Sequence, residues 1–212
     1  MKIAPSMLAC DFSQMGNEIK EVNNSDYIHL DVMDGNFVPN ISFGPAVIKS
    51  LKKHSGIPFD VHLMINNPRR YINDFFKAGA DIITFHLEAE NNIEQAIDLI
   101  NNNGIKAGLA VKPNTPIEEV FPFLNKLYLV LIMTVEPGFG GQAFMPEMME
   151  KVRVLKKEIL KRKLSTLIQV DGGINLNTVN TVSENGVDIC VAGTCIFKSS
   201  NPKQTIKILQ EV

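Results

Sequence analysis

Histidine and aspartate side chains recur in three short apolar segments that lie far apart in the chain. His29 and Asp31 alternate in one segment, His62 lies in the second and Asp171 lies in the third. Two imidazoles and two carboxylates form a mixed nitrogen and oxygen ligand set that suits Zn²⁺, Mn²⁺, Fe²⁺ or Co²⁺. A buried histidine–aspartate pair can also be a purely structural hydrogen bond. Four such residues favour a divalent metal site if the fold brings them together.

Glycine clusters form a second group of candidates, near the end of the chain. The clusters contain Gly138, Phe139, Gly140 and Gly141, then Gly172 and Gly173, and finally Gly193 with Thr194. Glycine lets backbone N–H groups come close to a phosphate, and a following helix N-terminus favours negative charge. One cluster alone would be ordinary turn chemistry. Three clusters after the last predicted strands favour a phosphate site.

Methionines lie near the ends of several apolar segments, at Met7, Met33, Met64 and Met133. Methionine often fills irregular gaps in a core, which is the simpler interpretation. Several methionines at one end of the fold could instead form a soft apolar lining around the reacting carbon of a small substrate. Both interpretations stay open at this point.

Three further polar residues lie near these candidates. Asp60 alternates with His62 but lies deeper in its segment, which favours a structural role. Asp34 is predicted to lead into a turn or to orient a ligand histidine from behind. His86 ends the fourth apolar segment, and Glu88 is the only acidic residue near it in the sequence. As a metal ligand it therefore ranks below the four candidates named above.

Eight short runs of apolar and β-branched residues predict the strands that must position these side chains. The runs cover residues 3–8, 27–32, 58–64, 81–86, 106–111, 127–135, 166–170 and 188–191. Their continuous hydrophobicity is typical of parallel strands covered by helices. Helical periods lie between them, and prolines mark helix starts at Pro45, Pro68, Pro116 and Pro202. Pro122 predicts that the helix after Pro116 is short or broken.

The repeat length decides between two α/β architectures. Eight units in 212 residues leave about 26 residues each, close to the minimum for a strand, a helix and two turns. We therefore predict a single (β/α)₈ TIM barrel, with residues 1–212 as one catalytic domain. A doubly wound open sheet would carry a Gly-x-Gly-x-x-Gly turn after the first strand, and that turn is absent. In a TIM barrel the candidates would meet at the C-terminal ends of the strands.

Composition excludes several classes of function. With 21 Lys and Arg against 23 Asp and Glu, the net charge is −2, which gives no basic surface for nucleic acid. No apolar run approaches the roughly 18–20 residues that a membrane span needs. Cys10, Cys190 and Cys195 are too few and too scattered for a disulfide framework. The first residues lack the apolar core of a signal peptide. We expect a cytoplasmic protein with neither nucleic-acid nor membrane partners.

Together these motifs resemble the ribulose-phosphate 3-epimerase family. The similar segments are residues 5–8, 29–40, 60–64, 133–142 and 170–174, and the resemblance runs in unbroken order from Ile3 to about Phe197. It implies an enzyme that interconverts D-ribulose 5-phosphate and D-xylulose 5-phosphate in the pentose phosphate pathway. It further implies two-base proton transfer at C3 through a metal-stabilised cis-enediolate, with Asp31 and Asp171 as the acid/base pair.

The resemblance also implies the ligands of this site. The metal would be held by His29, Asp31, His62 and Asp171. Ser6 and His62 would contact the substrate, and the glycine clusters with Thr194 would hold the phosphate; serine is usual at the position of Thr194. We expect one divalent ion, with Zn²⁺ preferred over Fe²⁺, Mn²⁺ or Co²⁺, and no organic cofactor. The partner would be a small phosphorylated ketose, and the protein is predicted to form a homo-oligomer.

Three alternatives remain. An allulose-6-phosphate 3-epimerase would use the same metal and bases, although the glycine motifs are more similar to those of the pentulose enzyme. A metal-free phosphate-barrel decarboxylase would carry an Asp-x-Lys-x-x-Asp pattern, but no lysine lies between Asp31 and Asp34. A non-catalytic sugar-phosphate sensor would have no need of the complete ligand set.

Overall fold

Eight parallel strands form one sheet in the computed structural model, which describes residues 1–212. The strands are β1 (Lys2–Pro5), β2 (Ile28–Met33), β3 (Phe59–Met64), β4 (Ile82–His86), β5 (Lys106–Val111), β6 (Leu129–Met133), β7 (Leu167–Asp171) and β8 (Ile189–Ala192). Their order in the sheet is β1-β8-β7-β6-β5-β4-β3-β2. Each predicted apolar run overlaps one of these strands.

The barrel closes between β1 and β2. Ser6 and His29 form a parallel bridge just beyond the end of β1, and the main-chain N–H of Tyr27 donates to the main-chain oxygen of Ile3 at 3.4 Å. The predicted TIM barrel is therefore confirmed as a nearly closed barrel of eight parallel strands. Closure at this point places Ser6 beside His29, one of the metal candidates.

Helices occupy the connections. The α-helices are α1 (Met15–Glu21), α2 (Pro45–Lys52), α3 (Ile72–Ala78), α4 (Ile93–Asn102), α5 (Met149–Arg162), α6 (Val179–Glu184), α7 (Thr194–Phe197) and α8 (Pro202–Gln210). Short 3₁₀ helices cover Met7–Ala9, Phe12–Gln14, Pro68–Arg70, Leu87–Ala89, Ile117–Lys126 and Pro146–Met148. None of these helices combines the length and the apolar character that a membrane span needs.

Two connections show how local chemistry sets the element. The first strand ends at Pro5 instead of residue 8, because the Ser6 hydroxyl accepts from the main-chain N–H of Leu8 and caps the 3₁₀ helix that follows. Pro122 lies inside the segment Ile117–Lys126, which is 3₁₀ throughout. Proline has no N–H to donate to an α-helical bond, so the prediction of a broken helix is confirmed.

Alternation along the strands divides the side chains between two sides of the sheet. Ile28, Leu30 and Val32 of β2 belong to the large apolar core that also contains residues of the helices. His29 and Asp31 point the opposite way, into the barrel, where a smaller apolar cluster includes Leu131 and other inward residues. The interior of the barrel therefore combines an apolar cluster with buried polar side chains, among them His29, Asp31, Asp60, His62 and Gln169.

Candidate active site

The four metal candidates converge at the C-terminal end of the barrel. One ligand atom from each of His29, Asp31, His62 and Asp171 lies within 4.8 Å of all the others. Oδ1 of Asp31 is 3.2 Å from Nε2 of His29 and 3.0 Å from Nδ1 of His62. Oδ2 of Asp171 is 3.9 Å and 3.8 Å from the same two nitrogens. Three distant parts of the chain thus present two nitrogens and two oxygens to one small volume.

The sheet register explains this convergence. Asp31 on β2 pairs directly with His62 on β3, so their side chains leave neighbouring strands on the same side. His29 lies two residues before Asp31 and therefore shares that side. Asp171 is the last residue of β7 and pairs with Met133 of β6 and Val191 of β8. The closed barrel brings it opposite β2.

The environment of His29 indicates that the cluster fits a cation. Its Nδ1 lies 2.8 Å from Oδ2 of the buried Asp60, which as a carboxylate can only accept. Nδ1 therefore carries the proton, and Nε2 is left with a lone pair. That Nε2 is buried and makes no hydrogen bond, although it faces the oxygens of Asp31 and Asp171. A divalent ion is the kind of partner that satisfies such an atom together with two carboxylates.

The two carboxylates of the cluster have unequal electrostatic environments. Burial and the nearby charge of Asp31 raise the pKa of Asp171 to about 6. Burial also disfavours ionised Asp31, but the adjacent imidazoles of His29 and His62 outweigh it and hold the pKa of Asp31 below its usual range. The side chain of Asp171 is 17% exposed and that of Asp31 is 3% exposed. The acid nearer to solvent therefore holds its proton more tightly.

Polar residues outside the cluster hold its members. Oδ2 of Asp60 contacts His29 and also accepts a 2.7 Å hydrogen bond from Nε2 of Gln169 on β7. The structural role predicted for Asp60 is thus the support of a candidate ligand.

Asp34 does not orient a histidine, because its carboxylate accepts from the main-chain N–H groups of residues 36, 37 and 66. It holds the loop after β2.

His86 lies behind the cluster, in contact with His62. The two Nε2 atoms are 3.0 Å apart, and Nδ1 of His86 is 3.2 Å from Oε2 of Glu88. Burial lowers the pKa of the His86 imidazole to about 4. Burial of Glu88 is outweighed by hydrogen bonds from His86 and Thr115, which lower the pKa of its carboxyl to about 2. Sequence reasoning noted the acidic neighbour but missed the contact with His62.

A cavity of about 330 Å³ opens above the cluster. It is lined by both aspartates, Asp31 and Asp171, and by most of the predicted substrate contacts: Ser6, Met33, Met64, Met133, Gly138, Phe139, Gly140, Gly141, Gly172, Gly173, Gly193 and Thr194. His29 and His62 are fully buried beneath it. Gln142 and Asn175 also line the cavity and were missed, although each lies directly beside a glycine motif or within two residues of one. The volume is typical of a small-molecule site.

Two of the lining glycines are required by the backbone. Gly172 has φ +121°, and a Cβ there would lie 2.4 Å from Cγ2 of Val135. Gly173 has φ +70°, and a Cβ there would lie 2.4 Å from the main-chain nitrogen of Phe144. Gly140 differs, since nothing lies within 4 Å of the position of its Cβ. Its role is not explained by crowding.

Comparison with known proteins identifies the family. Residues 2–197 match the model of the ribulose-phosphate 3 epimerase family. The ribulose-phosphate 3-epimerase of Bacillus subtilis (strain 168) is 45% identical over 209 residues, covering 97% of this chain and 96% of that protein. The cytoplasmic isoform of the enzyme from Oryza sativa subsp. japonica is 45% identical over 216 residues, covering 99% of this chain and 93% of that protein.

A solved structure supports the fold. The 3-hexulose-6-phosphate synthase from Salmonella typhimurium superposes with a TM-score of 0.72 over 100% of this chain and 97% of that one, at 18% identity. At this identity the likeness extends to the barrel alone. The family model and the curated relatives cover nearly the whole chain, and the resemblance expected from the motifs is confirmed: the chain belongs to the ribulose-phosphate 3 epimerase family.

Proposed function

We propose that this chain is a metal-dependent epimerase that interconverts D-ribulose 5-phosphate and D-xylulose 5-phosphate. The observation that carries the proposal is the meeting of two carboxylates, Asp31 from β2 and Asp171 from β7, at the floor of one cavity. Inversion at C3 requires one group to remove a proton from one face of the carbon and another to return a proton to the opposite face. Strands on different sides of a barrel suit that requirement.

Each carboxylate has two oxygens with different surroundings. Oδ1 of Asp31 and Oδ2 of Asp171 face the histidines, which leaves one oxygen of each acid for proton transfer. We assign Asp31 as the base that takes the C3 proton of ribulose 5-phosphate and Asp171 as the acid that delivers a proton to the other face. The roles reverse for xylulose 5-phosphate. General acid–base groups of this kind contribute about 10²- to 10⁴-fold to a rate.

The residues of the cluster would hold one divalent ion, through His29, Asp31, His62 and Asp171. Such an ion supplies positive charge beside the substrate oxygens and stabilises the negative charge that develops when C3 loses its proton. We propose Zn²⁺ as the ion, with Fe²⁺, Mn²⁺ or Co²⁺ as alternatives, because imidazole nitrogens and carboxylate oxygens are ligands that Zn²⁺ accepts. The chemistry needs no organic cofactor.

The upper wall of the cavity would bind the phosphorylated end of the sugar. We propose that backbone N–H groups of Gly138, Phe139, Gly140, Gly141, Gly172, Gly173, Gly193 and Thr194 contact the phosphate. A Cβ on Gly141 would lie 3.9 Å from Oγ1 of Thr194, so the loop after β6 faces the start of α7. Ser6, His62, Met33, Met64 and Met133 would surround the carbon chain. A clamped phosphate keeps C3 between the two acids.

Further proposals concern the whole protein. We propose that residues 1–212 form one catalytic domain that acts in the cytoplasm as a homo-oligomer without a nucleic-acid partner. All three cysteines are free thiols, which suits a reducing compartment. The net charge of −2 argues against a polyanionic partner. Exposed apolar side chains such as Ile41 and Leu160 offer surface for self-association.

The test is an isotope experiment on the full chain loaded with Zn²⁺. Ribulose 5-phosphate is incubated in D₂O, and the formation of xylulose 5-phosphate and the deuterium at C3 are followed by NMR. We expect product that carries one deuterium at C3. Allulose 6-phosphate is tested in parallel, and a higher kcat/KM for that sugar would replace the pentulose assignment. Binding without exchange or product for either sugar would indicate a sensor and overturn the proposed function.

A further inference from the structure

A continuous chain of polar side chains runs from the buried candidate metal cluster to Glu88, whose side chain is 22% exposed. Nε2 of His62 lies 3.0 Å from Nε2 of His86, and Nδ1 of His86 lies 3.2 Å from Oε2 of Glu88. Both imidazoles are fully buried. Two facing ring nitrogens at this distance require that one of them carries a hydrogen and the other a lone pair. The direction of this hydrogen bond therefore decides which nitrogens of His62 are protonated.

Glu88 is held at the far end of the chain by donors only. Its Oε1 accepts a 2.8 Å hydrogen bond from the main-chain N–H of Lys112 and a further one from the hydroxyl of Thr115. A main-chain N–H can only donate, so an acceptor must occupy that position. The carboxylate satisfies this requirement with one oxygen and presents the other to His86.

The direction of every bond in the chain follows from that carboxylate. Oε2 of Glu88 can only accept, so the hydrogen of His86 lies on Nδ1 and its Nε2 carries the lone pair. Nε2 of His62 must then donate to Nε2 of His86. The remaining nitrogen of His62, Nδ1, is the one that faces Asp31 at 3.0 Å and Asp171 at 3.8 Å.

We propose that His86 and Glu88 are positioning residues, which keep a proton on Nε2 of His62 and so leave Nδ1 as the atom that binds the metal. This inference rests on the metal site of the proposed function. His29 has the same arrangement in a shorter form, because the carboxylate of Asp60 contacts its Nδ1 at 2.8 Å and leaves Nε2 toward the cluster. Such outer partners fix the tautomer and ring orientation of metal-binding histidines.

Replacing Glu88 by glutamine reverses the direction of the hydrogen bonds from residue 88 to His62, while the shape of the side chain stays nearly the same. The main-chain N–H of Lys112 requires the amide oxygen at the Oε1 position, so the new NH₂ group faces His86. Nδ1 of His86 must then accept, its Nε2 must donate, and Nε2 of His62 becomes the acceptor. The hydrogen of His62 moves to Nδ1, where it competes with the metal. Glu88→Gln is therefore expected to weaken Zn²⁺ binding about 10- to 100-fold.

Two control variants separate this effect from ordinary loss of packing. Glu88→Asp keeps a carboxylate, so it preserves the direction of every hydrogen bond between residue 88 and His62. Its Zn²⁺ affinity should stay within a few-fold of that of the original protein. Glu90→Gln makes the same chemical change two residues away, where the carboxylate contacts Arg69 instead of His86. It should leave Zn²⁺ affinity unchanged.

The experiment uses the full chain with ¹⁵N-labelled histidine. Only four histidines are present, so long-range ¹H–¹⁵N spectra can assign each tautomer. Before any substitution, His86 should carry its hydrogen on Nδ1; finding it on Nε2 overturns the proposal without a variant. Glu88→Gln should show His62 with its hydrogen on Nδ1, together with the lower affinity for Zn²⁺ in competition with a chromophoric chelator.

An unchanged tautomer of His62 or an unchanged Zn²⁺ affinity in Glu88→Gln would overturn the proposal. An equal loss of affinity in Glu88→Asp and Glu88→Gln would also overturn it, since shape would then matter more than bond direction. These readouts do not depend on turnover. A protein that binds Zn²⁺ as expected but does not epimerise the sugar would refute the proposed function and leave this inference standing.

Discussion

The hydroxyl of Ser6 donates a 2.6 Å hydrogen bond to Oδ2 of Asp31, inside the barrel and next to the bridge that closes it. Oδ1 of the same carboxylate faces His29 and His62. The two oxygens of Asp31 are thus separated by function, one toward the metal candidates and one toward the cavity wall. Ser6 occupies the oxygen that our proposal assigns to proton transfer.

The first prediction concerns this hydroxyl. A hydrogen bond to a charged group is worth about 1.5–3 kcal/mol, so Ser6→Ala is expected to lower kcat/KM about 10- to 100-fold. Steady-state kinetics with ribulose 5-phosphate measure the change. Ser42→Ala is the comparison, since the Ser42 hydroxyl contacts the main-chain oxygen of Asp31 instead of its carboxylate. A kcat/KM for Ser6→Ala equal to that of the original protein would contradict this role.

The second prediction separates the two acids by direction. Asp31→Asn and Asp171→Asn are each expected to reduce turnover about 10²- to 10⁴-fold while the barrel stays folded. The remaining carboxylate can still exchange the proton on its own face of C3. Asp171→Asn should therefore retain solvent exchange into ribulose 5-phosphate, and Asp31→Asn should retain it into xylulose 5-phosphate.

Exchange into both sugar phosphates, followed by NMR in D₂O, checks this crossed pattern. The Zn²⁺ content of each variant is the control, because both acids are also candidate ligands. If a variant that holds Zn²⁺ exchanges neither sugar, or both equally, the assignment of one acid to each face fails.

The alternation of side chains was readable from the sequence, while contacts across the barrel were not. Period-two patterning in β2 and β3 placed His29, Asp31 and His62 on the inner side, because that information is local to each strand. The contact of Gln169 with Asp60 joins residues on β7 and β3, and its length depends on the barrel radius. No spacing within one segment carries that information.

The hydrophobic pattern of the sequence also did not predict where the first strand ends or which groups the loop residue Asp34 contacts. The apolar run at residues 3–8 continues past Pro5, but the Ser6 hydroxyl bonds to its own chain and starts a 3₁₀ helix. A carboxylate such as that of Asp34 can support a histidine. In this structure it instead accepts hydrogen bonds from three main-chain N–H groups. Competition between side chain and backbone for the same hydrogen bond decides both cases.

The third prediction compares two glycines of the cavity wall. Gly173→Ala places a Cβ 2.4 Å from the main-chain nitrogen of Phe144, at a backbone φ of +70°. Strain at such a position costs on the order of 1–3 kcal/mol, so the free energy of unfolding should fall by about that amount or more. Urea denaturation followed by circular dichroism measures it.

Gly140→Ala is the matched substitution, since its Cβ would meet nothing within 4 Å. We expect its free energy of unfolding to stay within about 0.5 kcal/mol of the original protein. If the loop after β6 contacts the phosphate, the same variant should raise KM for ribulose 5-phosphate. A Gly140→Ala enzyme with unchanged KM would remove this residue from the phosphate site.

The fourth prediction links the metal cluster to stability. An ion that binds only the folded protein, at 100 times its Kd, adds about 2.7 kcal/mol to the free energy of unfolding. For a chain of this size that corresponds to a rise in Tm of roughly 5–10 °C. Adding Zn²⁺ to chelator-treated protein and recording the melting curve by calorimetry tests this expectation.

The histidines of this chain supply the controls for that measurement. His29→Gln removes the buried nitrogen that has no hydrogen-bond partner, so the rise in Tm with Zn²⁺ should largely disappear. His54→Gln should keep the full rise, because His54 follows α2 and packs against Gly16, outside the cluster. Equal Zn²⁺ responses in the two variants would mean that the ion binds elsewhere. The carboxylates Asp31 and Asp171 would then need a different source of positive charge to hold them together in a buried site.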